Sequence, residues 1–352
     1  MEDETGVCGY TEEVTTARFV YISLGGVVAF FGCVSNALLF LLLTTRKLPN
    51  SPPQLYPAAL ALLDGLLCSF FIMIFVVDVN MIYNRSEELF VLFHRYIIFT
   101  FCAAKLVQFL IPYMLMLGTL ERYTWICSKK RKLAILQPKF RPFTLGGLLL
   151  GATALRIPSA LALTVTEFPD CEDFFRTLAV DESAWYMIYD VYVIGCLQTF
   201  FPFFMLMLLN LVIVNRLAKI DAEKRQPLTE IKVETPTMSR RRSLRVLTSL
   251  RIHKMPASVR NAIYTMVTIV ATYLISNSLH IILTLLEVTK ASVLVDENDH
   301  YKASLLYTVL GDSVSLLYMT SSAVRIVIYV SCNPAIRKQF LSMRFPGYYR
   351  KR

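Results

Sequence analysis

Charge is scarce in this chain: 18% of its 352 residues are Asp, Glu, Lys or Arg. Hydrophobic residues make up 55% and the mean hydropathy is +0.51, more apolar than the roughly half typical of soluble proteins. The few charges fall between apolar runs longer than a core helix needs. That shortage argues against a water-soluble domain and for a membrane protein. A phosphate loop, an HExxH sequence, a CxxC pair and a placeable catalytic dyad are all missing, so neither an enzyme nor a cofactor or metal site is expected. No internal repeat and no pair of related halves is visible, which leaves a transporter or channel with little support. The chain opens MEDETGVCGY, acidic and polar, without the basic and apolar regions of a signal peptide, so the first apolar run is expected to direct insertion. A net charge of +10 suggests nucleic acid only until its placement is read: the basic residues alternate with the apolar runs, and no nucleic-acid partner is expected.

A bilayer core takes about 20 mostly apolar residues per helix. Seven segments qualify, at about 19–43, 56–79, 95–125, 143–165, 185–216, 260–288 and 302–331. In lipid every backbone group must be satisfied internally, so these are expected to be helices. A β-barrel would show alternating stretches of about ten residues, much shorter than these. The expected fold is an all-α membrane protein: a seven-transmembrane helix bundle with a short amphipathic eighth helix.

The loops carry the orientation. Arg46 and Lys47 stand in the first connection, a basic stretch from Lys129 to Arg141 in the third, and Arg240, Arg241 and Arg242 in the fifth, with more basic residues in the C-terminal tail. Acidic residues gather on the other side, among them Glu2, Asp3, Glu4, Glu167, Asp170 and Glu172. The positive-inside rule then places the N-terminus outside and the C-terminus in the cytoplasm, consistent with an odd number of spans. Residues 1–18 read as an extracellular segment, 19–331 as the helical domain with a basic loop at 217–259, and 332–352 as a cytoplasmic eighth helix and tail. Asn84-Arg85-Ser86 is a glycosylation sequon on the expected outer side.

Several motifs fall in order at the matching helix ends. The first span has GCVSNALLF with Asn36, the second LALLD ending at Asp64, and the third ends in Glu121-Arg122-Tyr123. Phe201-Pro202 lies in the fifth span, Tyr329 closes the seventh, and NPAIRKQFL follows it. Together they resemble the rhodopsin-like seven-helix receptors that couple to G proteins. The sixth and seventh spans also look like those of invertebrate FMRFamide-type neuropeptide receptors and nematode orphan receptors. The resemblance covers roughly residues 19–343 and implies a plasma-membrane receptor that binds an extracellular ligand and activates a heterotrimeric G protein. It gives Glu121, Arg122 and Tyr123 the coupling role. The long Arg122 stem suits the inner interface, where a neighbouring carboxylate can hold it at rest.

The chain departs from the pattern in instructive ways. Where the family has NPxxY, residues 325–329 read Arg-Ile-Val-Ile-Tyr. The family places a sodium ion beside the second-span carboxylate. Here Arg325 is expected to take that place and pair with Asp64, near Asn36 and Tyr329, since an intramembrane charge calls for a named partner. In the sixth span Asn277 stands at the family's tryptophan and Leu279 at its proline. Pro112 is expected to kink the third span.

The resemblance also implies a disulfide from Cys171 in the second outer loop. Cys102 is over a turn too deep for the usual third-span partner, so Cys171 is assigned to Cys8 or Cys102. Helical register from Arg122 puts Ala104, Lys105 and Gln108 on the outer part of the third span. Amine receptors carry an aspartate where Ala104 stands, and photoreceptors a seventh-span lysine that is absent here, so neither ligand class is expected. Lys105, Gln108, Asp190, Asn277, His280 and Glu287 are the candidate ligand-pocket residues, with Lys105 able to accept a carbonyl or acidic group. The acidic outer face attracts cations, which favours a cationic amidated peptide as extracellular ligand; a small-molecule chemoreceptor of the same fold is the alternative. Inside, the basic third loop offers a face to the G protein and to anionic membrane lipid, and Ser243 after three arginines reads as a phosphorylation site.

Overall fold

The computed structural model describes residues 14–45, 54–126, 137, 139–168, 176–180, 183–225, 257–289, 291–295 and 304–344. Among these, seven helices are long and apolar enough to cross a membrane. They are α1 (Thr16–Thr45), α2 (Leu55–Tyr83), α3 (Glu87–Ile126), α4 (Arg141–Leu161), α5 (184–225), α6 (Ala257–Val288) and α7 (Leu305–Cys332), followed by the short α8 (Pro334–Arg344). Between α4 and α5 lies a two-stranded antiparallel hairpin, β1 (Leu163–Glu167) and β2 (Arg176–Val180), in register from Leu163 opposite Val180 to Glu167 opposite Arg176.

α3 is the post around which the bundle stands, packing on α2, α4, α5 and α6, while α1 and α7 close the ring against α2. The central core joins Leu60, Ile111, Leu115, Leu206, Ile269 and Tyr329 from five helices. Large apolar side chains such as Phe143, Leu150 and Phe99 face outward, as a lipid-facing surface requires. Gly32 of α1 exists for closeness: a Cβ there would lie 2.6 Å from Cys68 Sγ and 2.9 Å from the Ala323 Cβ, so α1, α2 and α7 meet where that position is bare.

Several boundaries differ from the sequence expectation, three of them where the chain meets the hairpin or the main cavity. α3 starts at Glu87 rather than near residue 95. At 1.5 Å per residue its 40 residues reach about 60 Å, beyond a hydrocarbon core of roughly 30 Å. Its outer turns are amphipathic and bury Phe90 and Phe93 with Ile97 and Met81, against Val165 and Leu178 of the hairpin. α4 ends at Leu161 because the apolar run continues into β1, where β-branched residues in LTVTE favour a strand. α1 begins at Thr16, which brings Arg18 into the helix.

Backbone bonding is irregular in three of the helices. α2 widens over Ile72–Val76, and α5 over Tyr189–Ile194 and Cys196–Phe200. The second α5 irregularity lies just ahead of Pro202, which cannot donate a helical bond. Tyr113 of α3 donates its hydroxyl to the Leu197 carbonyl there at 2.8 Å. α3 itself runs through Pro112 as one helix. α7 starts on Ser304, whose Oγ accepts the Tyr307 N–H at 3.1 Å, and is interrupted at Val324 before resuming at Arg325. α8 buries Ile336 and exposes Arg337 and Lys338, the pattern of a helix lying along an interface.

Candidate functional site

The candidate residues form three levels along the bundle. At the outer level is a cavity of about 420 Å³, within the size range of ligand sites. Lys105, Gln108, Asn277, His280 and Glu287 all line it. Asn277, at the place of the family's tryptophan, is buried and turns its Nδ2 back to the Tyr273 carbonyl at 2.9 Å. Glu287 accepts from the Tyr307 hydroxyl at 3.0 Å. The Lys105 ammonium sits over the Phe101 ring, 5.1 Å from its centre, a cation held by an aromatic face.

Asp190 belongs elsewhere. It lines a side chamber of about 180 Å³ with Arg156, Ser159, Tyr186 and Lys105. There it meets Arg156 Nη1 at 3.6 Å and accepts from Ser159 Oγ at 3.2 Å. The irregular start of α5 turns this acid toward α4 instead of the main cavity.

The main cavity also holds a pair that sequence reading missed. Arg18 of α1 forks onto Asp312 of α7, Nε to Oδ2 at 2.8 Å and Nη2 to Oδ1 at 3.3 Å. The signal was present in Asp312, a carboxylate inside an apolar span, which by itself calls for a partner.

In the wall of the cavity, Tyr273 and Tyr318 meet edge-on with ring centres 6.1 Å apart, and Tyr318 donates to the Gln108 carbonyl at 3.3 Å. Beneath them lies the middle level, where Arg325 Nη1 donates to Asp64 Oδ2. The two side chains are 2% and 0% exposed, so Arg325 does not reach for the interface. Asn36 donates its Nδ2 to the carbonyls of Gly32 and Ser322, each at 3.0 Å, and Ser35 Oγ donates to that of Ala323 at 3.5 Å. These α1 side chains take up α7 carbonyls beside the interruption at Val324, which occurs here without the family's proline.

At the inner level, Glu121, Arg122 and Tyr123 end α3. Glu121 and Arg122 are buried. The Glu121 carboxylate makes its ion pair with Arg141 Nη2 of α4, at 2.6 Å, because the start of α4 passes directly beside it. Arg122 and Tyr329 line one small recess together with Met266 and Ile336, so the ends of α3, α6, α7 and α8 converge on one place.

Cys102 is a free thiol within α3 among the described residues. Cys8, Cys171 and Ser243 lie outside the described residues. Asn84 is exposed in the turn between α2 and α3, with its Nδ2 on the Asn80 carbonyl at 3.0 Å. The next residue, Arg85, has φ 49°, the left-handed conformation a reversal this tight requires. Among the described residues no group of His, Cys, Asp and Glu could hold a metal ion.

Seven helices long and apolar enough to cross a membrane form a bundle with a cavity toward one end and Arg122 buried toward the other end of α3. The chain belongs to the 7 transmembrane receptor (rhodopsin family), whose sequence pattern matches residues 35–329. Comparison with curated proteins gives no match. Membership makes it a multi-pass plasma-membrane protein, a signalling receptor with a G protein and an extracellular ligand as partners, and not an enzyme.

Proposed function

We propose that the receptor takes a cationic, amidated neuropeptide from outside, with its N-terminus extracellular and its C-terminus cytoplasmic. The observation that carries this reading is the length of the binding space. A second cavity of about 340 Å³, reaching to Arg176 and Leu178 of the hairpin, shares Arg18, Ile74, Phe75 and Phe101 with the main one. Two chambers with common walls suit an extended chain with several side chains more than one compact molecule. Glu287 in the wall offers a carboxylate to a cationic residue, Asp312 being held by Arg18, and the acidic outer segments of the sequence attract such a ligand.

In this reading the ligand draws the outer ends of α3, α6 and α7 together over the Tyr273–Tyr318 contact. The inner end of α6 then leaves the recess at Arg122 and Tyr329, and the G protein enters. The Asp64–Arg325 pair stands where relatives bind sodium and ties α2 to α7 in both states.

A screen in receptor-expressing cells tests the ligand class. Amidated peptides ending in Arg-Phe are expected to evoke signalling. If none does while small volatile or polar molecules do, the peptide reading fails and the chemoreceptor reading replaces it.

A further inference from the structure

The side chamber between α3, α4 and α5 has an unbalanced charge. Its walls hold two cations, Lys105 and Arg156, against one carboxylate, Asp190. The Arg156 side chain is 9% exposed and lies 3.6 Å from Asp190, beyond hydrogen-bond length. Its Nε has no hydrogen-bond partner among the described residues, and its guanidinium stands 5.9 Å from the centre of the Phe109 ring. Asp190 already accepts from Ser159, and Lys105 faces the Phe101 ring. A buried guanidinium with an unused donor is costly in a membrane bundle; what relieves it is an oxygen anion of planar, two-pronged geometry.

We propose that this chamber is an oxyanion subsite that takes a carboxylate of the ligand, with Arg156 and Lys105 as its donors. The chamber measures about 180 Å³, several times the roughly 30 Å³ share of a water molecule, which accommodates a carboxylate and the carbon stem behind it. Lys105 and Phe101 also line the main cavity, so a ligand lying there can send an acidic side chain past them into the chamber. The inference deepens the proposed function by adding an acidic group to the ligand's cationic one, and it rests on that reading only for the ligand's entry through the outer cavity.

The test uses 4-fluorobenzoate as probe on full-length receptor in nanodiscs of neutral phosphatidylcholine, with binding read by broadening of the fluorine NMR line. Saturable binding is expected that neutral 4-fluorobenzamide does not match. Arg156→Gln and Lys105→Gln are each expected to weaken it about tenfold. Asp190→Asn is expected to strengthen it by removing the competing carboxylate, a gain that misfolding cannot produce. Equal binding of the benzamide, or benzoate binding untouched by all three substitutions, would overturn the proposal. In discs containing anionic phosphatidylglycerol the binding is expected to persist; its loss there would assign the chamber to a lipid headgroup and overturn the ligand assignment. Because the probe is no peptide, failure of the peptide screen leaves this result standing, and failure here leaves the screen standing.

Discussion

Arg325 of α7 donates to the carboxylate of Asp64 in α2, and neither side chain reaches solvent. Removing one member of a buried pair leaves an uncompensated charge, which costs about 3–5 kcal/mol, whereas apolar replacement of both is often neutral. Asp64→Leu and Arg325→Leu are each expected to reduce thermal stability sharply, and the double substitution to recover most of the loss. Melting of the purified single and double variants measures this. If the double variant is as unstable as the singles combined, the pairing does not govern their effects.

On the proposed reading the Arg325 guanidinium takes the place of the sodium ion that the family resemblance implies, so agonist potency is expected to be the same in sodium and in potassium buffers. Dose–response curves in the two salts check this; a right shift specific to sodium contradicts it.

Gly32 is predicted to tolerate no side chain. The added methyl of Gly32→Ala meets Cys68 and Ala323 at under 3.0 Å, and overpacking of this kind costs about 1–3 kcal/mol. Surface expression and melting temperature should both fall, whereas Gly147→Ala, where a Cβ meets nothing within 4 Å, should leave them unchanged.

The Glu121–Arg141 ion pair fastens the inner end of α3 to α4. Arg141→Ala releases the nearly buried Glu121 carboxylate to act on neighbouring Arg122, and the expected result is altered ligand-independent signalling at equal surface expression. Basal second-messenger levels measure it; no change in basal signalling would show that the pair is only an anchor.

Much of this arrangement is legible in the sequence because the bilayer imposes length. Apolar runs locate the spans to within a few residues at most ends, and they fail where apolar character outlasts the membrane, as in Leu163–Val165, or where a helix continues past it, as at Glu87–Arg95. Asp64 and Arg325 can be paired from sequence because each is a charge inside an apolar run and a motif supplies the register. Arg18 and Asp312 cannot be paired in that way: no motif supplies their register, and an arginine in the first turn of a span is ordinary. Asp190 reads as one more outer acid until the irregular turns of α5 aim it at Arg156, a rotation that periodicity does not record.

Nucleotide exchange on a purified heterotrimeric G protein, catalysed by the receptor in nanodiscs with amidated Arg-Phe peptides, tests the central claim most directly. The account predicts saturable, peptide-dependent acceleration that Arg122→Ala abolishes while peptide binding is retained. Acceleration that survives Arg122→Ala, or exchange driven only by small molecules and by no amidated peptide, would contradict it.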